Sequence, residues 1–196
     1  MSEPLRPPRM WVVAGANGSG KSTFYRLALQ PLGVRWINAD DIARALWPED
    51  PEIHSYAAAA IAAERREASL LAGVDFATET VFSHESKLAL LHNARTHGYR
   101  VTLIYIHLAS AELNQARVAQ RMAEGGHGVP SDKIVARRVR MLGLLSEAIA
   151  AADDALVLDN SSDVAPFVPL ARITGGVVVM RGAQLPREVA EALPAE

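Results

Sequence analysis

Apolar residues fall in short blocks separated by polar and glycine-containing stretches. Met10-Trp11-Val12-Val13-Ala14 is bounded by glycine, Arg35-Trp36-Ile37-Asn38 and Asp75-Phe76-Ala77-Thr78-Glu79-Thr80 are equally compact, and Arg100 to Leu108 (RVTLIYIHL) is dense in β-branched and aromatic residues. Runs of this length and content predict buried strands. Ala155 to Leu158 predicts a fifth strand, Val168 to Ile173 an extended segment, and Val177 to Met180 a strand-like run after Gly175-Gly176. Helical stretches lie between them. Ser22 to Gln30 is closed by Pro31 and Gly33, and Ile42 to Trp47 is preceded by Asp40 and Asp41 as N-terminal acids. Pro51 to Leu71 is rich in Ala, Glu and Arg, and Ser86 to His97 ends at Gly98. Ser110 runs through Arg121, Ser131 to Ala152 has Ser131-Asp132 as its cap, and a short helix begins at Pro186. This alternation predicts an α/β fold: a mostly parallel sheet of five to six strands with helices on both faces, in one domain over residues 1–196. The proline-rich residues 1–9 read as a flexible leader, and the three glycines between Glu124 and Pro130 place a loop at about 122–131.

The chain has 196 residues, 49% hydrophobic and 21% charged, with a formal net charge of −2. That balance argues against a protein that coats nucleic acid. There is no cysteine, which excludes disulfides, thiolate metal sites and cysteine nucleophiles. The leader carries acid and proline where a signal peptide needs a basic start and an apolar run. The run at Met10 is far shorter than the roughly 20 residues of a membrane helix. A cytoplasmic protein with no membrane association is expected. Of 20 basic residues 17 are Arg and three are Lys, at 21, 87 and 133.

Gly15-Ala16-Asn17-Gly18-Ser19-Gly20-Lys21-Ser22 matches G-x-x-x-x-G-K-[ST], after an apolar strand and before a helix, and Thr23 follows it. Glycines let successive backbone N–H groups turn toward phosphate oxygens, and the next helix adds the positive end of its dipole. Lys21 then serves the β- and γ-phosphates and Ser22 the Mg²⁺ ion. ATP or GTP with Mg²⁺ is the expected cofactor. A P-loop NTPase or kinase fold follows, and a small-molecule kinase with a lid suits a chain of this size.

Strand ends supply further chemistry. Asn38-Ala39-Asp40-Asp41 closes the second strand, where the carboxyl ends of a parallel sheet face the ligand crevice. Asp40 is the expected general base toward an acceptor hydroxyl, with Asp41 as cap or first-turn acid. Glu79 and Thr80 end the third strand on the same edge, Glu79 as a contact for a substrate hydroxyl or a metal-bound water. Ser83, His84 and Lys87 follow as candidate substrate-pocket residues. Residues 111–140 hold six Arg and Lys against three Asp and Glu, leaving the remainder at −5. Arg117 and Arg121 share a helical face before the glycine-rich loop with His127, and Arg137, Arg138 and Arg140 lie after it. Arginines on both sides of such a loop can close over a triphosphate.

The ordered set GANGSGKST, INADDIA, ATETVFS, RVAQRMAEGGHGVP and ALVLDNSSD, from about Met10 to Asp163, resembles the zeta-toxin-like P-loop kinases, in particular their short stand-alone branch. The resemblance implies transfer of the γ-phosphate of ATP to the 3′-hydroxyl of UDP-N-acetylglucosamine or a related UDP-sugar, a toxin role and an antitoxin partner. It implies Asp40 as base, Glu79 in the substrate pocket, Arg121 and Arg138 as lid arginines, and Asn160 at the nucleotide. Two other readings remain. The same machinery could serve another hydroxyl acceptor, such as an antibiotic, a nucleoside or a dinucleotide. It could also be a nucleotide-binding switch or ATPase with no small acceptor.

Overall fold

In the computed structural model, which describes residues 6–123 and 130–195 apart from the side chain of Arg121, the run at Met10 becomes the middle of the sheet. Strand β1 (Arg9–Ala14) pairs in parallel with β3 (Phe76–Thr80) on one side and β4 (Arg100–His107) on the other. Met10, Val12 and Val13 are fully buried because helices cover both faces of this strand, which is why its sequence is continuously apolar. β2 (Arg35–Ile37) pairs with β3, and β5 (Asp154–Asp159) with β4, both in parallel. The order is β2-β3-β1-β4-β5-β6-β7.

The last two strands differ from the expected sheet. β6 (Val168–Thr174) and β7 (Val177–Arg181) run antiparallel, which brings the sheet to seven strands. Gly175 (φ 58°) and Gly176 (φ 80°) join them. Two consecutive left-handed residues make the tight turn whose twist suits a hairpin.

Helix α1 (Lys21–Phe24) continues through a π-helical turn, Tyr25–Leu29, and a 3-10 turn, Gln30–Leu32. α2 (Ala39–Leu46) is capped by Asn38, whose Oδ1 accepts from the Asp40 amide at 2.8 Å, so both aspartates are first-turn acids and neither is the cap. α3 (Ser55–Ala72) begins four residues later than expected, after a turn whose His54 stacks on Trp47. α4 (Ser86–Thr96), α5 (Ala111–Ala123), α6 (Ser131–Ala151) and α7 (Arg187–Ala192) complete the set. At α6 the N-cap position belongs to Pro130, and no side chain caps it. None of these helices is long and apolar enough to cross a membrane, among the described residues.

Two apolar clusters lie on opposite faces of the sheet. One joins Val13, Ile104, Ile106 and Leu158 to Leu29 and Phe24, on the α1 side. The larger joins Val12, Phe76, Leu103 and Tyr105 to Leu91, Met141, Leu145 and Val189 from α4, α6 and α7. The carboxyl ends of β1 to β5 therefore share one edge. The chain leaves β1 for strands on its β3 side and returns to its β4 side, and this reversal opens a crevice there. Residues 6–9, expected within the leader, are tied down. Arg6 pairs with Asp75 at 2.7 Å, the Arg9 amide donates to the same carboxylate, and the Pro8 carbonyl accepts from the Arg100 amide. Residues 124–129, the centre of the expected lid with His127, lie outside the described residues.

Candidate active site

The loop 15–20 is built from left-handed glycines that no other residue could replace. Gly15 has φ 154°, Gly18 φ 78° and Gly20 φ 93°. A Cβ on Gly15 would stand 2.5 Å from Ser19 Oγ and 2.7 Å from the Ile106 carbonyl, and one on Gly20 would stand 2.5 Å from Asn160 Nδ2. The loop is braced from three sides. Asn160 Nδ2 donates to the Ser19 carbonyl at 2.9 Å, Asn114 Nδ2 donates to the Asn17 carbonyl at 2.9 Å, and Phe167 packs beneath Gly20 and against Phe24. Asn114 is fully buried, and Asn17 Oδ1, Ser19 Oγ and Asn114 Oδ1 have no partner among the described residues. Beyond the loop, the first helical i→i−4 bond runs from the Phe24 amide to Gly20 O. The Lys21, Ser22 and Thr23 amides thus precede the intrahelical ladder and suit anionic oxygens.

Lys21 is 5% exposed. Its Nζ donates to the Gly15 and Ala16 carbonyls, each at 3.0 Å, and stands 3.4 Å from Glu79 Oε1. The other Glu79 oxygen, Oε2, accepts from Ser22 Oγ at 2.9 Å and from Asn38 Nδ2 at 2.8 Å. Glu79 reaches the loop because β3 is the immediate neighbour of β1, with Val13 opposite Glu79. One carboxylate of β3 thereby joins the lysine and the hydroxyl of α1 to the cap of α2.

A cleft of about 640 Å³ opens in front of this group. Gly18, Gly20, Lys21, Ser22, Thr23, Asp40, Glu79 and Arg117 all line it, with Trp36, Asn38 and Asp41. Asp41 is engaged by its own surroundings: Trp36 Nε1 donates to it at 2.9 Å and Arg44 pairs with it. The Asp40 carboxylate has no hydrogen-bond or ion-pair partner among the described residues. Arg117 is held by the Asn160 carbonyl and Asp163, each at 2.7 Å.

Other expected site residues stand elsewhere. Gly15, Ala16 and Asn17 form the first half of the loop, ahead of the cleft. Asn160 is a brace beneath the loop. Thr80 Oγ1 accepts from the Phe82 amide at 2.9 Å and shapes the chain after β3. Ser83 and His84 line a second cleft, against α6. Arg138 is buried and spoken for, with Nη1 donating to the Leu108 carbonyl at 2.7 Å and Nη2 to Glu188 at 3.0 Å. The five basic residues expected around one loop thus separate: Arg117 at the first cleft, Arg140 at the second, Arg138 inside, Arg137 on α6, and Arg121 with its side chain outside the described residues. Asn38 and Asn114 were missed by sequence reasoning. Asn38 sits in a strand-to-helix junction that could have flagged it as a cap, whereas nothing local marks Asn114.

The cradle fits a nucleotide phosphate: side chains at the glycines are excluded by contact, and buried polar atoms lack partners among the described residues. Mg²⁺ keeps several waters and needs one or two protein ligands, so Ser22 with Glu79 behind it is an adequate donor set.

Residues 10–147 match the family model described as an AAA domain. The chain belongs to this family. The matched AAA span runs from β1 into α6 and so includes the loop, Asp40, Glu79 and Arg117. An uncharacterized protein of Haemophilus influenzae is 30% identical over 131 residues, which cover 63% of this chain and 93% of that one. Among solved structures, AvrRxo1-ORF1:-ORF2 with ATP superposes with a TM-score of 0.72 at 18% identity, over 95% of this AAA-domain chain and 63% of that one. The toxin–antitoxin system PezAT of Streptococcus pneumoniae gives 0.62 at 15% identity, over 97% and 78%. A candidate kinase of Chloroflexus aurantiacus gives 0.56 at 17%, over 69% and 80%. The fold is that of P-loop kinase-like proteins.

Proposed function

We propose that the protein is a phosphotransferase that moves the γ-phosphate of ATP to a hydroxyl of a UDP-sugar such as UDP-N-acetylglucosamine. The observation that carries this reading is the Asp40 carboxylate, which lines the same cleft as Lys21 and Ser22 and has no partner among the described residues, beside an Asp41 already committed to Trp36 and Arg44. A free carboxylate there can take the proton of an attacking hydroxyl. Lys21 exchanges a loop carbonyl for phosphate oxygens, and Ser22 with Glu79 holds Mg²⁺. Arg117, which lines the same cleft, offsets charge there. ATP with Mg²⁺ supplies the electrophilic phosphoryl group when bound.

The UDP-sugar is supported by the ordered motifs around Asp40 and Glu79, and the toxin–antitoxin setting of the PezAT neighbour supports an antitoxin partner. ATP as donor is in keeping with the nucleotide named for the AvrRxo1 neighbour. The test is incubation with ATP, Mg²⁺ and UDP-N-acetylglucosamine, read by mass spectrometry. A product heavier by one phosphate, lost in Lys21→Ala, supports the reading. No phosphorylated product with any UDP-sugar, from protein that binds ATP, overturns the acceptor.

A further inference from the structure

The second cleft, of about 460 Å³, lies between the chain after β3 and the middle of α6, lined by Ser83, His84, Glu85, Arg140, Gly143 and Leu144. It is a built feature. Phe82 is 2% exposed and sits at φ 57°, a strained conformation for a non-glycine residue, and Thr80 Oγ1 fixes its amide. This kink delivers Ser83 and His84 to α6. Arg140 Nε donates to the Ser83 carbonyl at 3.3 Å, and its terminal nitrogens have no partner among the described residues. The Ser86 amide donates to His84 Nδ1 at 3.1 Å, so the ring proton of neutral His84 belongs on Nε2, a second unused donor.

Gly143 adds an independent sign. It occupies the interior of a 21-residue helix, where glycine is unfavourable relative to alanine. A Cβ there would meet nothing within 4 Å, so no protein neighbour requires glycine. Gly143 lines the cleft, and the absence of a side chain there leaves that wall open. Among the lining residues Arg140 is the one permanent cation and Glu85 the one acid.

We infer that this second cleft receives an anionic oxygen group, phosphate or carboxylate, carried by the phosphoryl acceptor away from its reacting hydroxyl. The planar fork of Arg140 matches such a group, and Gly143 and Leu144 accept the carbon skeleton behind it. Ser83 follows Glu79 by four residues, so their backbones lie at most about 14 Å apart, within the length of an extended small molecule. The inference rests on the kinase reading for its word "acceptor", and the experiment separates the two.

The full chain, with Mg²⁺ and a saturating non-hydrolysable ATP analogue in the first cleft, is titrated with phenyl phosphate and with benzoate. Saturable binding of a probe is expected. It weakens tenfold or more in Arg140→Gln, is partly recovered in Arg140→Lys, and is blocked in Gly143→Leu without a lower melting temperature. Tighter phenyl phosphate identifies a phosphate-bearing acceptor, and tighter benzoate a carboxylate. Absence of saturable binding to the wild type, or equal affinity in Arg140→Gln and Gly143→Leu, overturns the inference. Analogue affinity, measured separately in every variant, reports folding and the first cleft. If the analogue does not bind, the kinase reading fails while the probe titration still judges the second cleft.

Discussion

Glu79 Oε2 accepts a hydrogen bond from Ser22 Oγ at 2.9 Å, and this single contact ties β3 to the first helical turn after the glycine loop. The same carboxylate stands 3.4 Å from Lys21 Nζ. Glu79→Gln keeps the shape and removes the charge. We expect the variant to fold, to bind an ATP analogue without Mg²⁺ much as the wild type does, and to lose the added affinity that Mg²⁺ gives, by tenfold or more, about 1.4 kcal/mol. Calorimetric titration with and without Mg²⁺ reads this. An unchanged Mg²⁺ effect would remove Glu79 from the metal's surroundings.

Adjacent aspartates at the start of α2 are expected to separate cleanly. Asp40→Asn removes a carboxylate with no partner among the described residues, so stability should move by no more than about 0.5 kcal/mol, while phosphoryl transfer falls by about 10²- to 10⁴-fold. Asp41→Asn weakens the bonds from Trp36 and Arg44 and should cost about 0.5–1.5 kcal/mol of stability. Denaturant unfolding, with a mass-spectrometric screen of metabolite extracts for phosphorylated products, compares the two. Loss of ATP binding in Asp40→Asn would mean that Asp40 serves the metal or the fold.

What the sequence made legible follows from how local each feature is. β1 and β4 were readable because a strand covered on both faces needs a continuous apolar run. The glycine loop was readable because its phosphate-facing amides come from consecutive residues. The hairpin β6–β7 showed its turn, Gly175-Gly176, but not its pairing, so the sheet was expected to be a strand or two smaller. Side chains whose partners are distant in sequence left no trace. Asn114 meets a carbonyl 97 residues away and Asn160 one 141 residues away. Arg138 looked like a lid arginine, yet α7 supplies Glu188 and turns it inward. Ser83 and His84 were placed with Glu79 by proximity along the chain. The left-handed Phe82 between them, which no propensity announces, sends them to another cleft.

Those distant braces carry their own expectation. Removing the side chain in Asn160→Ala leaves the buried Ser19 carbonyl without its donor, and Asn114→Ala does the same to Asn17. Each should cost about 1–3 kcal/mol in unfolding free energy. Each should also weaken ATP-analogue binding, because the loop's amides are no longer held in register. Neither residue lines the first cleft, so a stability loss with unchanged analogue affinity would show that the loop keeps its shape without them.

At the end of β4, His107 is 1% exposed and neither ring nitrogen has a hydrogen-bond partner among the described residues. Burial pushes its pKa down. Glu188, whose carboxylate stands 4.0 Å away, opposes that shift, Arg138 adds to it and Asp159 opposes it, with the lowering prevailing. A histidine held below its unfolded value of about 6.5 is neutral in the fold and protonated when unfolded over the intervening window. Its contribution to stability is therefore present above about pH 6.5 and lost as pH falls below it, with a slope of at most about 1.4 kcal/mol per pH unit. Asp154 acts in a separate range. Arg100 holds its carboxyl below the usual carboxylate value, so that pair's contribution is lost only as pH falls below about 4. Unfolding measured from pH 7.5 to 5 should show declining stability in the wild type and a flatter profile in His107→Leu, which removes the proton-binding group while keeping an apolar side chain among Tyr105 and the α6–α7 contacts. A flat wild-type profile, or the same slope in the variant, would assign the acid sensitivity to other groups.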